Sequence, residues 1–137
     1  MAIRHCIIAI VFAAVAAPAL ARSPVPIIDF RDQAFVTVGD KVLTPPQVRD
    51  AIIRGAASLG WTLAPAGDQK FLATLVVRNK HTVVTEITYA ADKFSVIYMS
   101  SNNMKYGIDN GVPVIHPFYN DWARSLVGAI RAELTKY

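Results

Sequence analysis

Three consecutive stretches alternate apolar and polar residues with a period of two: Lys70 to Arg78 (KFLATLVVR), Thr82 to Ala90 (TVVTEITYA) and Lys93 to Ser100 (KFSVIYMS). Only Asn79-Lys80-His81 and Ala91-Asp92 separate them. Connections that short join antiparallel neighbours, because a parallel crossover takes roughly a dozen residues or more. The stretches therefore predict an antiparallel meander, and the rest of the chain must pack around it. One face carries Phe71, Ala73, Leu75 and Val77, then Val83, Ile87 and Tyr89, then Phe94, Val96 and Tyr98. The other mixes Thr74, Arg78, Thr82, Glu86, Thr88 and Ser95 with Leu72, Val76, Val84, Ile97 and Met99. The first face is core, and the second is only half polar.

Helical spacing flanks the meander on both sides. Thr44-Pro45-Pro46-Gln47 offers an N-cap, a proline for the first turn and the capping-box glutamine. Val48, Ile52, Ala56 and Leu59, joined by Ala51 and Gly55, then form an apolar stripe, and Gly60 is placed to end the helix. A second helix is expected from His116-Pro117 to about Lys136, with Tyr119, Trp122, Ala123, Leu126, Ile130 and Leu134 inward. Ala34 to Val38 predicts a short strand stopped by Gly39-Asp40, and Trp61 to Ala64 another before the Pro65-Ala66-Gly67-Asp68 turn. Ser101 to Ile115, with Asn102-Asn103, Gly107 and Asn110-Gly111, predicts a long polar loop. The expected fold class is α+β, in the order β-α-β-β-β-β-α. It is a two-layer sandwich with a mostly antiparallel sheet of four to five strands and two amphipathic helices on one face.

The front of the chain follows a different rule. Arg4 precedes an uncharged run from Cys6 to Ala17, Pro18 breaks it, and Ala19-Leu20-Ala21 has the small-x-small form of a signal-peptidase site. Residues 1–21 therefore predict a signal peptide cleaved after Ala21 and a periplasmic protein, with secretion or an uncleaved anchor as alternatives. A transmembrane helix needs about 20 apolar residues, more than this run has. Arg22 to Gln33, with Pro24 and Pro26, predicts an extended leader before a single domain over 34–137. Cleavage accounts for much of the mean hydropathy of +0.34 and removes Cys6, the only cysteine. The remaining 116 residues carry thirteen Lys and Arg against ten Asp and Glu. They can bury a core without disulfides.

A resemblance supports the export reading. Gln47-Val48-Arg49, Ala51-Ile52, Leu59-Gly60-Trp61 and Ile87-Thr88-Tyr89 are similar to segments of a family of small exported Gram-negative bacterial proteins. Phe94-Ser95-Val96-Ile97-Tyr98, Ser100-Ser101-Asn102-Asn103, Tyr106 and the stretch from His116-Pro117 through Tyr119-Asn120-Asp121-Trp122 extend the likeness, which covers roughly residues 45 to 134. Many of those proteins look like lipoproteins, with a cysteine at the cleavage point. Here Cys6 stands at the start of the apolar run instead. The resemblance implies an exported protein and carries no functional residue over.

The chemistry on offer is sparse. Ser100 or Ser101, His116 and Asp109 or Asp121 supply the residue types of a hydrolase, with His116 as base, but no strand-turn-helix elbow surrounds either serine. After cleavage only His81 and His116 remain as histidines, without metal-ligand spacing, and no glycine-rich phosphate loop exists. No cofactor is expected. No Lys/Arg run marks a nucleic-acid footprint. Aromatics are the enriched theme: Trp61, Tyr89, Tyr98, Tyr106, Tyr119 and Trp122, with His116, are expected to serve as core or to converge at one end of the sheet as a recognition surface. The candidate binding residues are Tyr106, His116, Tyr119 and Trp122 with Asn102 and Asn103 of the long loop. The half-polar sheet face is either an exposed association stripe, open to homo-oligomer formation, or is covered by the leader. The expected function is non-enzymatic binding of an envelope protein or cell-wall component. A small periplasmic hydrolase and a purely structural envelope protein are the alternatives.

Overall fold

Alternation makes strands where it was expected and also beyond. In the computed structural model, which describes residues 22–137, the elements run as follows. They are β1 (Val25–Pro26), β2 (Phe30–Ala34), a 3-10 turn at Val38–Asp40, α1 (Pro45–Ser58), β3 (Thr62–Pro65) and β4 (Lys70–Val77). Then come β5 (His81–Tyr89), β6 (Lys93–Asn102), β7 (Gly107–Asp109), β8 (Val112–Ile115) and α2 (Phe118–Leu134). The export segment expected over residues 1–21 lies outside the described residues.

Strands β2-β6-β5-β4-β3 form one antiparallel sheet and β1-β8-β7 a smaller one. The meander faces divide as the alternation predicts. Phe71, Ala73, Val83, Ile87, Phe94 and Val96 are buried, while Val76 and Met99 remain about half exposed on the other side. Thr85 also lies on the core face, fully buried between Val83 and Ile87, and its hydroxyl has no partner. Helices α1 and α2 pack against each other and complete the core with Val48, Ile52, Ala56, Tyr119, Leu126 and Ile130. The result is the expected two-layer α+β sandwich.

The helix ends are built as their residues suggest. The Thr44 amide donates to Gln47 Oε1 at 2.9 Å, one arm of the capping box. At the other end Gly60 adopts φ +80, its amide donates to Ala57 O, and the Trp61 amide donates to Ala56 O. This is a Schellman motif with buried Trp61 as its apolar anchor. Leu59, expected on the inner stripe, is instead the C-cap residue and 41% exposed.

Three expectations need correction. The first strand is not Ala34 to Val38: pairing ends at Ala34, and Val36 and Val38 are exposed before the 3-10 turn. The leader neither dangles nor crosses the outer sheet face. Phe30 pairs with Val96 and Val25 with Ile115, so residues 25–34 lie along sheet edges. Ser101 to Ile115 is not one loop. β6 continues to Asn102, and β7 and β8 form a hairpin around Asn110 (φ 48) and Gly111 (φ 77), the backbone signature of a type I′ turn.

Candidate functional site

A β-bulge organises the tyrosines. Thr85 pairs with Tyr98 and Val84 with Ser100, so Met99 is an extra residue in β6. The bulge resets the alternation and places Tyr98 and Ser101 on one side, where their hydroxyls meet at 2.8 Å. Tyr106 stacks on Tyr98 with ring centroids 5.2 Å apart and planes 9° from parallel. Tyr119 meets Tyr98 edge-on at 5.3 Å. Tyr119 is fully buried and its hydroxyl has no partner. Burial, reinforced by the charge of Asp29 and by Tyr98, raises its pKa far above the ordinary phenol range. Ile27, Asp29, Tyr98, Tyr106, Val112 and Pro113 line an open cleft of about 310 Å³ beside this stack.

A second group gathers where the β4–β5 turn meets the start of α2. The His116 amide donates to Met104 O at 2.8 Å, and the Phe118 amide donates to His116 Nδ1 at 3.1 Å. The imidazole thus accepts the first amide of the helix, with Pro117 at the N-cap. Its ring contacts Phe118 at 4.6 Å, and Phe118 contacts Trp122 at 5.9 Å. The Arg22 guanidinium lies over the Phe118 ring, 4.9 Å from its centroid. Opposite, the 2.7 Å contact between His81 Nδ1 and Asn103 O requires that this nitrogen donate, because a carbonyl only accepts. Asn103 Nδ2 donates to Lys80 O and ties the same turn to the end of β6. Val77, Arg78, His81, Phe118 and Trp122 line a cleft of about 180 Å³ between these parts.

The charge around this second cleft has one sign. Burial lowers the pKa of His116, and the positive charges of Lys105, Arg22 and His81 push it the same way. Elsewhere, Arg31, Arg49, Arg54, Lys70, Lys93, Arg124 and Lys136 each meet a carboxylate. Arg22, Lys41, Arg78, Lys80, Lys105 and Arg131 make no such pair among the described residues. Lys105 Nζ donates only to the Arg22 carbonyl.

The six residues singled out from sequence therefore divide. Tyr106 and Tyr119 join the Tyr98 stack, while Trp122 lines the basic cleft and His116 packs on its Phe118 wall. Asn103 braces that cleft through the β4–β5 turn, and Asn102 pairs with Thr82 in the sheet. The wider convergence of aromatics does not form: Tyr89 stacks on Phe71 at 5.9 Å beside the β5–β6 turn, and Trp61 is buried below α1. No hydrogen bond joins the candidate serines, aspartates and His116 among the described residues. Ser101 bonds to Tyr98, Asp121 pairs with Arg124, and His116 Nδ1 is occupied by a backbone amide. Sequence reasoning missed Arg22, Arg78, Lys80, His81, Lys105 and Phe118. The visible signal was Arg78-Asn79-Lys80-His81, three basic side chains within four residues at the β4–β5 turn. Among the described residues no group of three or more His, Cys, Asp or Glu could hold a metal ion, and no helix is long and apolar enough to cross a membrane. Comparison with protein-family models, with curated proteins and with solved structures finds no match to the chain in any of the three.

Proposed function

We propose that this chain is an exported, periplasmic binding domain, and that its ligand or partner enters the cleft between the β4–β5 turn and the start of α2. The observation that carries this reading is the cleft wall itself. Phe118 is 42% exposed and Trp122 partly so, on a helix whose other large apolar residues are buried in the core. Aromatic side chains give large contact area for little lost rotamer freedom, and a surface that leaves them accessible is suited to recognition. The imidazoles of His81, on the cleft, and of His116, against Phe118, are held through Nδ1 by the backbone, which fixes how each ring is oriented. This supports binding over hydrolysis with His116 as base.

A photo-crosslinking phenylalanine analogue at Phe118, activated in intact cells, tests the reading. A defined adduct that disappears with Trp122→Ala is the expected result. The same analogue at Val76, on the outer sheet face, serves as the comparison. Adducts at Val76 alone would move the association surface to the sheet face, and no adduct at either position would remove the binding role. Export is tested by intact mass, which is expected to show a chain beginning at Arg22.

A further inference from the structure

Arg78 and His81 line one small aromatic cleft and Arg22 lies over its Phe118 wall, and we infer that the cleft takes an anionic phosphate ester, its phosphate held by the Arg78–Lys80 turn and its attached moiety against Phe118 and Trp122. The inference rests on the binding role proposed above and names the ligand chemistry.

The charge distribution argues first. Of the six Lys and Arg without a carboxylate partner among the described residues, Lys41 and Arg131 lie elsewhere, while Arg22, Arg78, Lys80 and Lys105 belong to the cleft, its turn and the start of α2. Arg78 and His81 line the cleft, Lys80 sits in the turn between them, and Arg22 covers the Phe118 ring. Lys105 and Arg22 lie close enough to His116 to lower its pKa, and no carboxylate acts on that imidazole in the opposite direction. Gathering like charges without counter-ions is unfavourable in the empty protein and becomes favourable only when an anion shares the site.

Local geometry argues second. Arg78 and Asn79 adopt φ +54 and +52, which keeps the turn tight, and Asn103 Nδ2 holds the Lys80 carbonyl at 3.2 Å. The two cationic side chains are therefore carried on a braced backbone, which lowers the entropy lost on binding. An arginine suits phosphate because its planar fork can donate two hydrogen bonds to two oxygens. His81 Nδ1 already donates to Asn103 O, so Nε2 is the nitrogen left to face a ligand. A cleft of about 180 Å³ admits one phosphate and part of the moiety it esterifies. Phe118 and Trp122 supply an apolar wall for that moiety.

The test is an NMR titration of the purified chain with inorganic phosphate. Saturable shifts are expected at the amides of residues 77–82 and 116–122. The double substitution Arg78→Gln with Lys80→Gln, both exposed turn positions, should weaken binding about tenfold or more, close to 1.4 kcal/mol. The pair Lys41→Gln and Arg49→Gln should leave it unchanged. Added salt should weaken binding as the charges are screened. Vesicle sedimentation separates the sources. Phosphatidylglycerol vesicles that carry down the wild type but not the double variant identify a lipid headgroup. Phosphate binding without sedimentation identifies a soluble phosphate ester.

Shifts that do not saturate, that fall outside those two segments, or that survive the double substitution would overturn the inference. So would equal sedimentation of both chains. A Phe118 adduct obtained while phosphate gives no shifts would sink the phosphate inference and leave the binding role standing.

Discussion

His116 shows how one side chain can serve structure and cleft together. Its Nδ1 accepts the Phe118 amide, a role that protonation ends, and burial with Lys105, Arg22 and His81 lowers its pKa from 6.5. As pH falls, the unfolded chain therefore takes up this proton before the folded one does. The stabilising contribution is complete above about pH 6.5 and is lost as pH falls towards the lower folded-state pKa. His116→Asn keeps an acceptor for the helix amide and removes the titration. Melting temperatures between pH 5 and 7.5 should rise with pH more steeply in the wild type than in the variant. Equal slopes would show that the imidazole is not the titrating group. The cap was readable from His116-Pro117 at the head of an apolar stripe. Thr85 was not readable as core, because polarity argues against a position that strand alternation demands. There the period overrode the side chain, and the hydroxyl was left without a partner.

At the level of elements, the two helices meet at Gly55. A Cβ there would stand 2.9 Å from Ile130 N and 3.0 Å from Ala129 C, backbone atoms that cannot swing aside. Alanine normally gains about 1 kcal/mol over glycine inside a helix. At this crossing the clash outweighs that gain, since overpacking costs about 1–3 kcal/mol. Gly55→Ala should therefore lower the denaturant midpoint, whereas Gly128→Ala, with no atom within 4 Å of its Cβ, should raise it. Equal responses would mean that the helices are less closely apposed. The meander, both helices and the Gly60 stop were legible because each has a period or a cap. The β7–β8 hairpin was announced by Asn110-Gly111, but strands of three and four residues are too short to establish a period. The edge pairing of residues 25–34 was hidden for a different reason. β2 carries Arg31, Asp32 and Gln33 and an irregular register, and only its non-local partner β6 makes it a strand.

Over the whole molecule, the candidate site was legible in kind and not in place. Of the residues that aromatic enrichment picked out, Trp122 lies on this cleft, yet the cleft depends on a turn and a helix start about 40 residues apart. Single-residue patterns cannot show such a meeting. Asn120 has the same long-range character: its Oδ1 accepts the Ile28 amide at 3.0 Å and its Nδ2 donates to Pro26 O at 2.9 Å. Asn120→Ala strands these two backbone groups and should cost about 2 kcal/mol. It should also speed amide hydrogen exchange at Ile28 more than at Ile87. Unchanged exchange at Ile28 would mean that β1 is held by pairing with β8 alone.

The same asparagine also sets an order in time. Residues 25–34 leave the ribosome first, but their partners Val96, Ile115 and Asn120 come late, and the Val38 amide waits for the carbonyl of Tyr137. Until the last helix exists, β2 covers the outer edge of β6 without the Asn120 bonds to Pro26 and Ile28 on its N-terminal side, and a loosely held edge invites pairing with other chains. A nascent chain that has not yet made α2 thus holds its edge strand by the β6 ladder alone, and the arrival of Asn120 is what fastens it.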